Sequence, residues 1–333
     1  MIPETIKQRM GRKLYAQPNH PLEIVKRQIY ESLPNFGRFE FYDPVVTVGE
    51  NFDQLLIPKD HPSRSPSDTY YVDDEHVLRT HTSAHQHDCL RGGCRHFLVT
   101  GDVYRRDEID HCHYPVFHQM EGVSLVDGNT ADDLKWNMQS IVKKLFGNIE
   151  HRFTNSYFPF TKPSWELEIK WKEEWLEVAG MGLIHPDILE ACNLKNRQGW
   201  AFGVGLERLA MILFEIPDIR LFWSEDRRFL DQFTNGPAKF VAYSKYPSCY
   251  KDIAFWTTDE YNHNDFYDLV REIVGDMVES VKLTDSFTKR GKGTSHCYRV
   301  NYQSMDRTLS HDEVNTMQQK VRDAVSALKV ELR

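Results

Sequence analysis

Residues 101–122, GDVYRRDEIDHCHYPVFHQMEG, constrain this chain more than any other stretch. An apolar strand start runs into Arg105, an acid follows at Asp107, and a polar loop returns to Phe117, Gln119 and Glu121. The pattern predicts a strand, a loop and a second strand. Such a hairpin gathers a guanidinium, carboxylates, an amide and an aromatic face over one ligand. The guanidinium fork suits an anion with two oxygens to bridge. An ordinary charged hairpin with surface ion pairs is the competing reading. It would suit a lone arginine among acids better than it suits this whole run.

The chain has 333 residues, enough for two domains and a sizeable core. Its 40% apolar and 27% charged residues are those of a globular protein, and no unbroken apolar run is long enough to cross a bilayer. The first fifteen residues are basic but hold Glu4 and no serine, a poor transit segment. Six scattered cysteines predict reduced thiols. The net charge of −8 is unexpected for a nucleic-acid binder, but it is unevenly spread. Residues 239–333 carry 14 Lys+Arg and 14 Asp+Glu, so the remainder holds the whole excess of acid. Local basic patches can still meet a polyanion.

Pro21 opens a helix with Leu22, Val25, Ile29 and Leu33 at helical spacing. Residues 39–48 read as one strand and 131–150 as an amphipathic helix. Residues 165–170 and 174–178 alternate like antiparallel strands, and 200–205 form a strand that enters a helix at Leu206. A charged stretch, 215–238, ends on a strong breaker and reads as a connector between domains 1–214 and 239–333. In the second domain, strands are expected at 240–244 and 252–257, and a helix over 265–282. Two strands follow around the turn Lys289-Arg290-Gly291-Lys292-Gly293, and a capping box at Ser310 and Glu313 opens a last helix. That order predicts a split βαβ, ferredoxin-like domain.

Three further runs carry chemistry. In WAFGVGLERLA (200–210), glycines let backbone approach a nucleotide and Arg208 sits in the first helical turn. Alone this pattern is as consistent with a tight strand–helix turn. RTHTSAHQ (79–86) offers hydroxyls, imidazoles and an amide to the polar end of a zwitterion, and Ser83 is also a candidate helix cap. Phe158 and Phe160 would on general grounds be core. Seven histidines between His81 and His118, with Cys89, Cys94 and Cys112, raise the question of zinc. Their spacing matches no standard metal site, so none is expected.

Residues 101–122 resemble motif 2 of the class II aminoacyl-tRNA synthetases, whose arginine clamps the α-phosphate of ATP, and 200–210 resemble motif 3. With Phe158-Pro159-Phe160, and with Glu177 in WLEVAG, the runs are similar in order and spacing to the single-chain organellar phenylalanyl-tRNA synthetases. Ser244-Lys245-Tyr246-Pro247, the helix from Asp265 and Ser295-His296-Cys297-Tyr298-Arg299 extend the likeness to the second domain, and Pro217-Asp218-Ile219-Arg220 before them makes it specific to that family. The resemblance implies an α+β fold. A class II catalytic domain with an antiparallel sheet flanked by helices precedes a ferredoxin-like anticodon-binding domain.

The resemblance also implies roles. Arg105 and Arg208 would be catalytic. Ser83, Ala84, His85, Gln86, Gln119, Met120 and Glu121 would hold the phenylalanine head group, and Phe158, Phe160, Ala179 and Ala201 would shape its ring pocket. Besides the two arginines, Cys112, His113, Tyr114, Phe117, Glu177, Phe202 and Gly203 would bind ATP. Lys289, Arg290 and Lys292 would contact tRNA. ATP is then a substrate, accompanied by Mg2+. Phenylalanine and tRNA(Phe) are the partners, with no membrane, and the chain works as a monomer in the mitochondrial matrix (plastid or cytoplasm being the other addresses). Motif 1, near Phe41-Tyr42-Asp43-Pro44, stays within one subunit in the single-chain enzymes. Asp107 departs from the glutamate of many class II enzymes. A silent RNA-binding relative and an amide-forming class II ligase are the rival readings. The intact Arg105, Glu121 and Arg208 oppose the first, and the second domain opposes the other.

Overall fold

The computed structural model describes residues 2–40, 42–126, 130–243 and 246–333. Its strands, in chain order, are β1 (Gly37–Phe39), β2 (Val45–Thr47), β3 (His76–Leu78), β4 (His96–Tyr104), β5 (Val116–Val126), β6 (His151–Phe158), β7 (Thr161–Trp171), β8 (Glu174–Ile184) and β9 (Gln198–Gly205). The second domain adds β10 (Cys249–Thr257), β11 (Val278–Lys289), β12 (Gly293–Tyr302) and β13 (Glu331–Leu332). One sheet has the order β1-β4-β5-β9-β8-β7-β6. Its pairs are antiparallel apart from β1, which runs parallel to β4. The helices Pro21–Ser32, Thr130–Phe146 and Leu206–Phe214 cover one face of this sheet. Their apolar stripes share a core with Leu98, Met120, Phe202 and Val204. A second core, with Val99, Val123 and Ala201, lies on the opposite face, where the strand period of two sends alternate side chains.

The second domain forms a sheet in the order β11-β12-β10-β13, with the helices His263–Val274 and Ala324-ending His311–Ala324 packed over Tyr298, Val300 and Tyr302. This is the ferredoxin-like βαββαβ order. The capping box forms as expected: Ser310 accepts from the Glu313 amide while Glu313 reaches back to the Ser310 amide.

Several local expectations fail for physical reasons. Residues 39–48 split between β1 of the large sheet and β2 of a small hairpin with β3, because Asp43 accepts from the Val45 amide at 2.8 Å and turns the chain there. Phe41 of motif 1 lies outside the described residues. Residues 240–243 form no strand. Phe240 instead donates its amide to the Phe214 carbonyl and packs on Phe229. Ser244 and Lys245, also part of that expectation, lie outside the described residues. The helix expected over 265–282 ends at Val274, where Gly275 takes φ +62°, and its last apolar residues, Val278 and Val281, are buried on β11 instead. The 131–150 helix likewise stops at Phe146, before Gly147 at φ +71°. Within 215–238, the side chains of Ile219, Phe222, Phe229 and Phe233 are buried in the first core.

Gly122 allows Phe202 to cross β5. A Cβ added there would sit 2.2 Å from Cε1 of that ring and 3.0 Å from Leu98 Cδ2. Gly122→Ala is therefore expected to cost about 1–3 kcal/mol through overpacking. Thermal unfolding checks this: a clear drop in Tm is expected, and an unchanged Tm would contradict the packing described.

Candidate active site

The site is a row across the sheet. The register sets Gln119 opposite Gly205, Glu121 opposite Gly203, and Gly203 opposite Gly180. A Cβ at Gly203 or Gly205 would meet nothing within 4 Å, so this floor is open to a ligand. At Gly180 a Cβ would lie 2.9 Å from Phe158 Cζ, so that ring rests on the glycine. Phe158 stacks on Phe160 with centroids 5.7 Å apart and planes 11° off parallel. The two rings wall an apolar slot at the end of the row.

Arg105 lies at the end of β4, with its guanidinium 5.1 Å from the centre of the Phe117 ring and Nε donating to the Thr80 carbonyl at 2.9 Å. Thr80 is itself fixed twice by the buried Asn51, through its amide and its hydroxyl. Among the described residues, Arg105 has no ion pair, so its outer nitrogens remain for an anion. Glu121 is buried, and burial pushes its carboxyl up to about 8 against a hydrogen bond from Ser83 that pulls the other way. Its Oε2 has no partner among the described residues. Ser83 does not cap a helix as expected. It sits inside the 3-10 turn Thr82–His85, near enough to Glu121 to oppose the rise of its carboxyl. Gln86 follows at the start of the next helix and is buried.

Arg208 is exposed in the first turn of Leu206–Phe214, with Nη1 3.4 Å from the Glu177 carbonyl on β8. Its neighbour Glu207 pins that turn to β5. Glu207 Oε2 accepts from the His118 amide at 2.9 Å, and Oε1 pairs with His118 Nδ1 at 2.6 Å, both side chains buried. The Glu177 carboxyl is raised by burial and by Glu166, with Arg208 opposing. Arg105 and Arg208 thus flank the same glycine floor. His113 in the loop between β4 and β5 is raised by its hydrogen bond to Asp110 at 2.9 Å, and Cys112 beside it is exposed.

Not every expected residue faces this cleft. Met120, Ala179 and Phe202 turn their side chains to the helix-covered core, so Phe202 can offer ATP only backbone. Tyr114 bonds Arg9 and Asp276 and faces the second domain. His85 accepts from Arg79 at 2.8 Å and stacks on Tyr42, with centroids 4.3 Å apart. Ala84 and Ala201 are buried in the core beneath the slot. Lys289, Arg290 and Lys292 lie at the β11–β12 turn, with Lys292 Nζ 4.9 Å from the centre of the Trp256 ring. One residue was passed over. Neither ring nitrogen of His81 has a partner among the described residues, and burial and then Arg105 lower its pKa to about 3. A neutral imidazole with both nitrogens unengaged beside Arg105 is a further candidate contact. Its signal was its place in the RTHTSAHQ run.

A glycine-floored antiparallel sheet carrying two arginines and a buried carboxyl offers groups for an anion and for an ammonium. Comparison with known proteins agrees. Residues 6–233 match the model of the class II tRNA synthetase core domain (F), and 244–333 match the ferredoxin-fold anticodon-binding domain. The whole chain is 52% identical to 82% of the chloroplastic/mitochondrial phenylalanine–tRNA ligase of Arabidopsis thaliana. It is 44% identical to 89% of the mitochondrial phenylalanine–tRNA ligase of Dictyostelium discoideum. Over 64% of its length it is 42% identical to 64% of the phenylalanine–tRNA ligase alpha subunit of Prochlorococcus marinus (strain MIT 9312). The crystal structure of pyrrolysyl-tRNA synthetase from Desulfitobacterium hafniense overlays 65% of this chain and 77% of its own at 15% identity with a TM-score of 0.50, a likeness of fold. The chain belongs to the class II aminoacyl-tRNA synthetases and, within them, to the single-chain phenylalanine–tRNA ligase family.

The raised Glu121 carboxyl has a stability consequence. The unfolded chain loses this proton above the ordinary value of 4.5, while the folded protein holds it until about 8, so stability falls as pH rises between those values. Glu121→Gln removes that dependence. The Tm of the variant relative to the parent is expected to climb from pH 5 to pH 8, and a pH-independent difference would contradict the buried carboxyl.

Proposed function

We propose that this phenylalanine–tRNA ligase joins phenylalanine to ATP on the β5–β9 row and then transfers the acyl group to the terminal ribose of tRNA(Phe). The observation that supports this most is the buried, cation-free Glu121 in line with Gly203, Gly180 and the Phe158 ring. Glu121, Ser83 and Gln119 take the ammonium, and Phe158 with Phe160 meets the side-chain ring. Phenylalanine's carboxylate is already ionised, so its attack on the α-phosphorus needs positioning and charge neutralisation more than a base. Arg105 and Arg208 supply that neutralisation while Phe117 faces adenine, and diphosphate leaves.

Mg2+ enters with ATP. The Glu177 carboxyl, raised by burial and by Glu166 beside it, fits the ion, which would offset triphosphate charge. Separate cores support a catalytic domain whose packing takes in the expected connector as far as Phe233, followed by an anticodon-binding domain with Lys289, Arg290 and Lys292 on tRNA phosphates. One chain supplies the whole row, and Tyr42 of motif 1 stacks on its own chain's His85, which supports a monomer. The names of the Arabidopsis and Dictyostelium relatives, chloroplastic/mitochondrial and mitochondrial, support an organellar address, for which we take the mitochondrial matrix. Among the described residues no helix is long and apolar enough to cross a membrane.

Amino-acid-dependent ATP–diphosphate exchange without tRNA tests the reading across a panel of amino acids. Phenylalanine should support it, and tyrosine about 100-fold less well, since an apolar slot rejects an added hydroxyl modestly. Arg105→Ala should abolish exchange while tRNA affinity is retained. Exchange at the parent rate would remove Arg105 from the chemistry.

A further inference from the structure

The loop between β4 and β5, which carries Arg105, Asp107 and His113, is held from outside the catalytic domain. Ile109 at its tip is 5% exposed and belongs to the hydrophobic core of the second domain, beside Ile253, Phe266 and Val281. Its carbonyl accepts from the Val281 amide at 3.0 Å. Arg271 Nη2 donates to the Glu108 carbonyl. Arg106, next to Arg105, donates Nε to Asp268 at 2.7 Å and Nη2 to Asp265 at 2.7 Å. Asp268 also accepts from Arg271 and from Tyr70, and its side chain is 12% exposed.

These contacts are in the wrong place to serve tRNA alone. They hold the backbone between Arg105 and His113, both of which the proposed function sets against ATP. Fixing one loop residue costs roughly 1–2 kcal/mol of conformational entropy. A loop already ordered by the second domain meets that cost before ATP arrives, and an untethered loop would draw it from ATP affinity.

We propose that Asp268 and Arg271 of the C-terminal domain are positioning residues for amino-acid activation, holding the ATP-binding loop in place in a step that involves no tRNA. The inference rests on the reading of that loop as the ATP site. It assigns the second domain a part in the first half-reaction.

The test is phenylalanine-dependent ATP–diphosphate exchange by the full chain, without tRNA. Asp268→Asn and Arg271→Gln should each raise KM for ATP about 3- to 10-fold and leave KM for phenylalanine within about twofold. Asp265→Asn, at a more exposed position, should give a smaller rise in the same direction and keeps the test open if the buried variants unfold. Glu272→Gln lies on the same helix but among the described residues hydrogen-bonds only Thr5, so its KM for ATP should match the parent. Unchanged KM for ATP in folded Asp268→Asn and Arg271→Gln overturns the proposal, as does an equal rise in Glu272→Gln. A parent protein with no exchange at all would instead remove the functional reading beneath it.

Discussion

Burying the Glu121 carboxyl with no cation beside it among the described residues is unfavourable for the folded protein. Among the described residues, Ser83 alone opposes the rise that burial gives that carboxyl. Gly203 stands opposite it, where a larger side chain would fill the row. In the proposed reading an arriving ammonium supplies the missing charge, and binding energy for the substrate is drawn from a carboxyl oxygen that has no partner among the described residues.

Holding that row in register falls to buried polar pairs rather than to apolar packing alone. His118 and Glu207 fasten the Leu206–Phe214 helix to β5, so Arg208 emerges at a fixed place. Arg79 is 2% exposed. It pairs with Asp102 at 2.6 Å, bonds the Tyr42 carbonyl and donates to His85. Gly101 lies so close beneath that guanidinium that a Cβ would come within 2.3 Å of Nη2. These pairs tie motif 1, the 3-10 turn with Ser83 and strand β4 into one rigid unit. Breaking a buried pair costs about 3–5 kcal/mol, because it strands the other charge. The site's geometry and the domain's stability are therefore the same set of contacts.

Strong local signals carried much of this into the sequence. Pro21 at a helix start, the Ser310–Glu313 capping box and the strand–loop–strand of 101–122 all form where their patterns put them. What failed was arbitration between periods. Val281 continues the helical stripe of Val270, Ile273 and Met277, but Gly275 ends the helix, and a β-bulge between Val278 and Ser280 buries both Val278 and Val281 on β11. β13, with two residues, was too short to leave a pattern. In the site, Arg105, Glu121, Phe158 and Arg208 could be placed because polar or paired aromatic residues stand out. Met120, Ala179 and Phe202 adjoin residues that face the cleft, and the strand period of two turns them to the other face, a distinction a motif match alone does not make. The second domain's grip on Glu108 and Ile109 joins residues over 150 positions apart, beyond any local pattern.

The most direct measurement of the central claim is a crystal structure of the protein with a non-hydrolysable phenylalanyl-adenylate analogue. The account places the ammonium against Glu121 and Ser83, the ring between Phe158 and Phe160, the phosphate between Arg105 and Arg208, and adenine over Phe117. An analogue bound elsewhere, or one bound here with its ammonium turned away from Glu121, would contradict it.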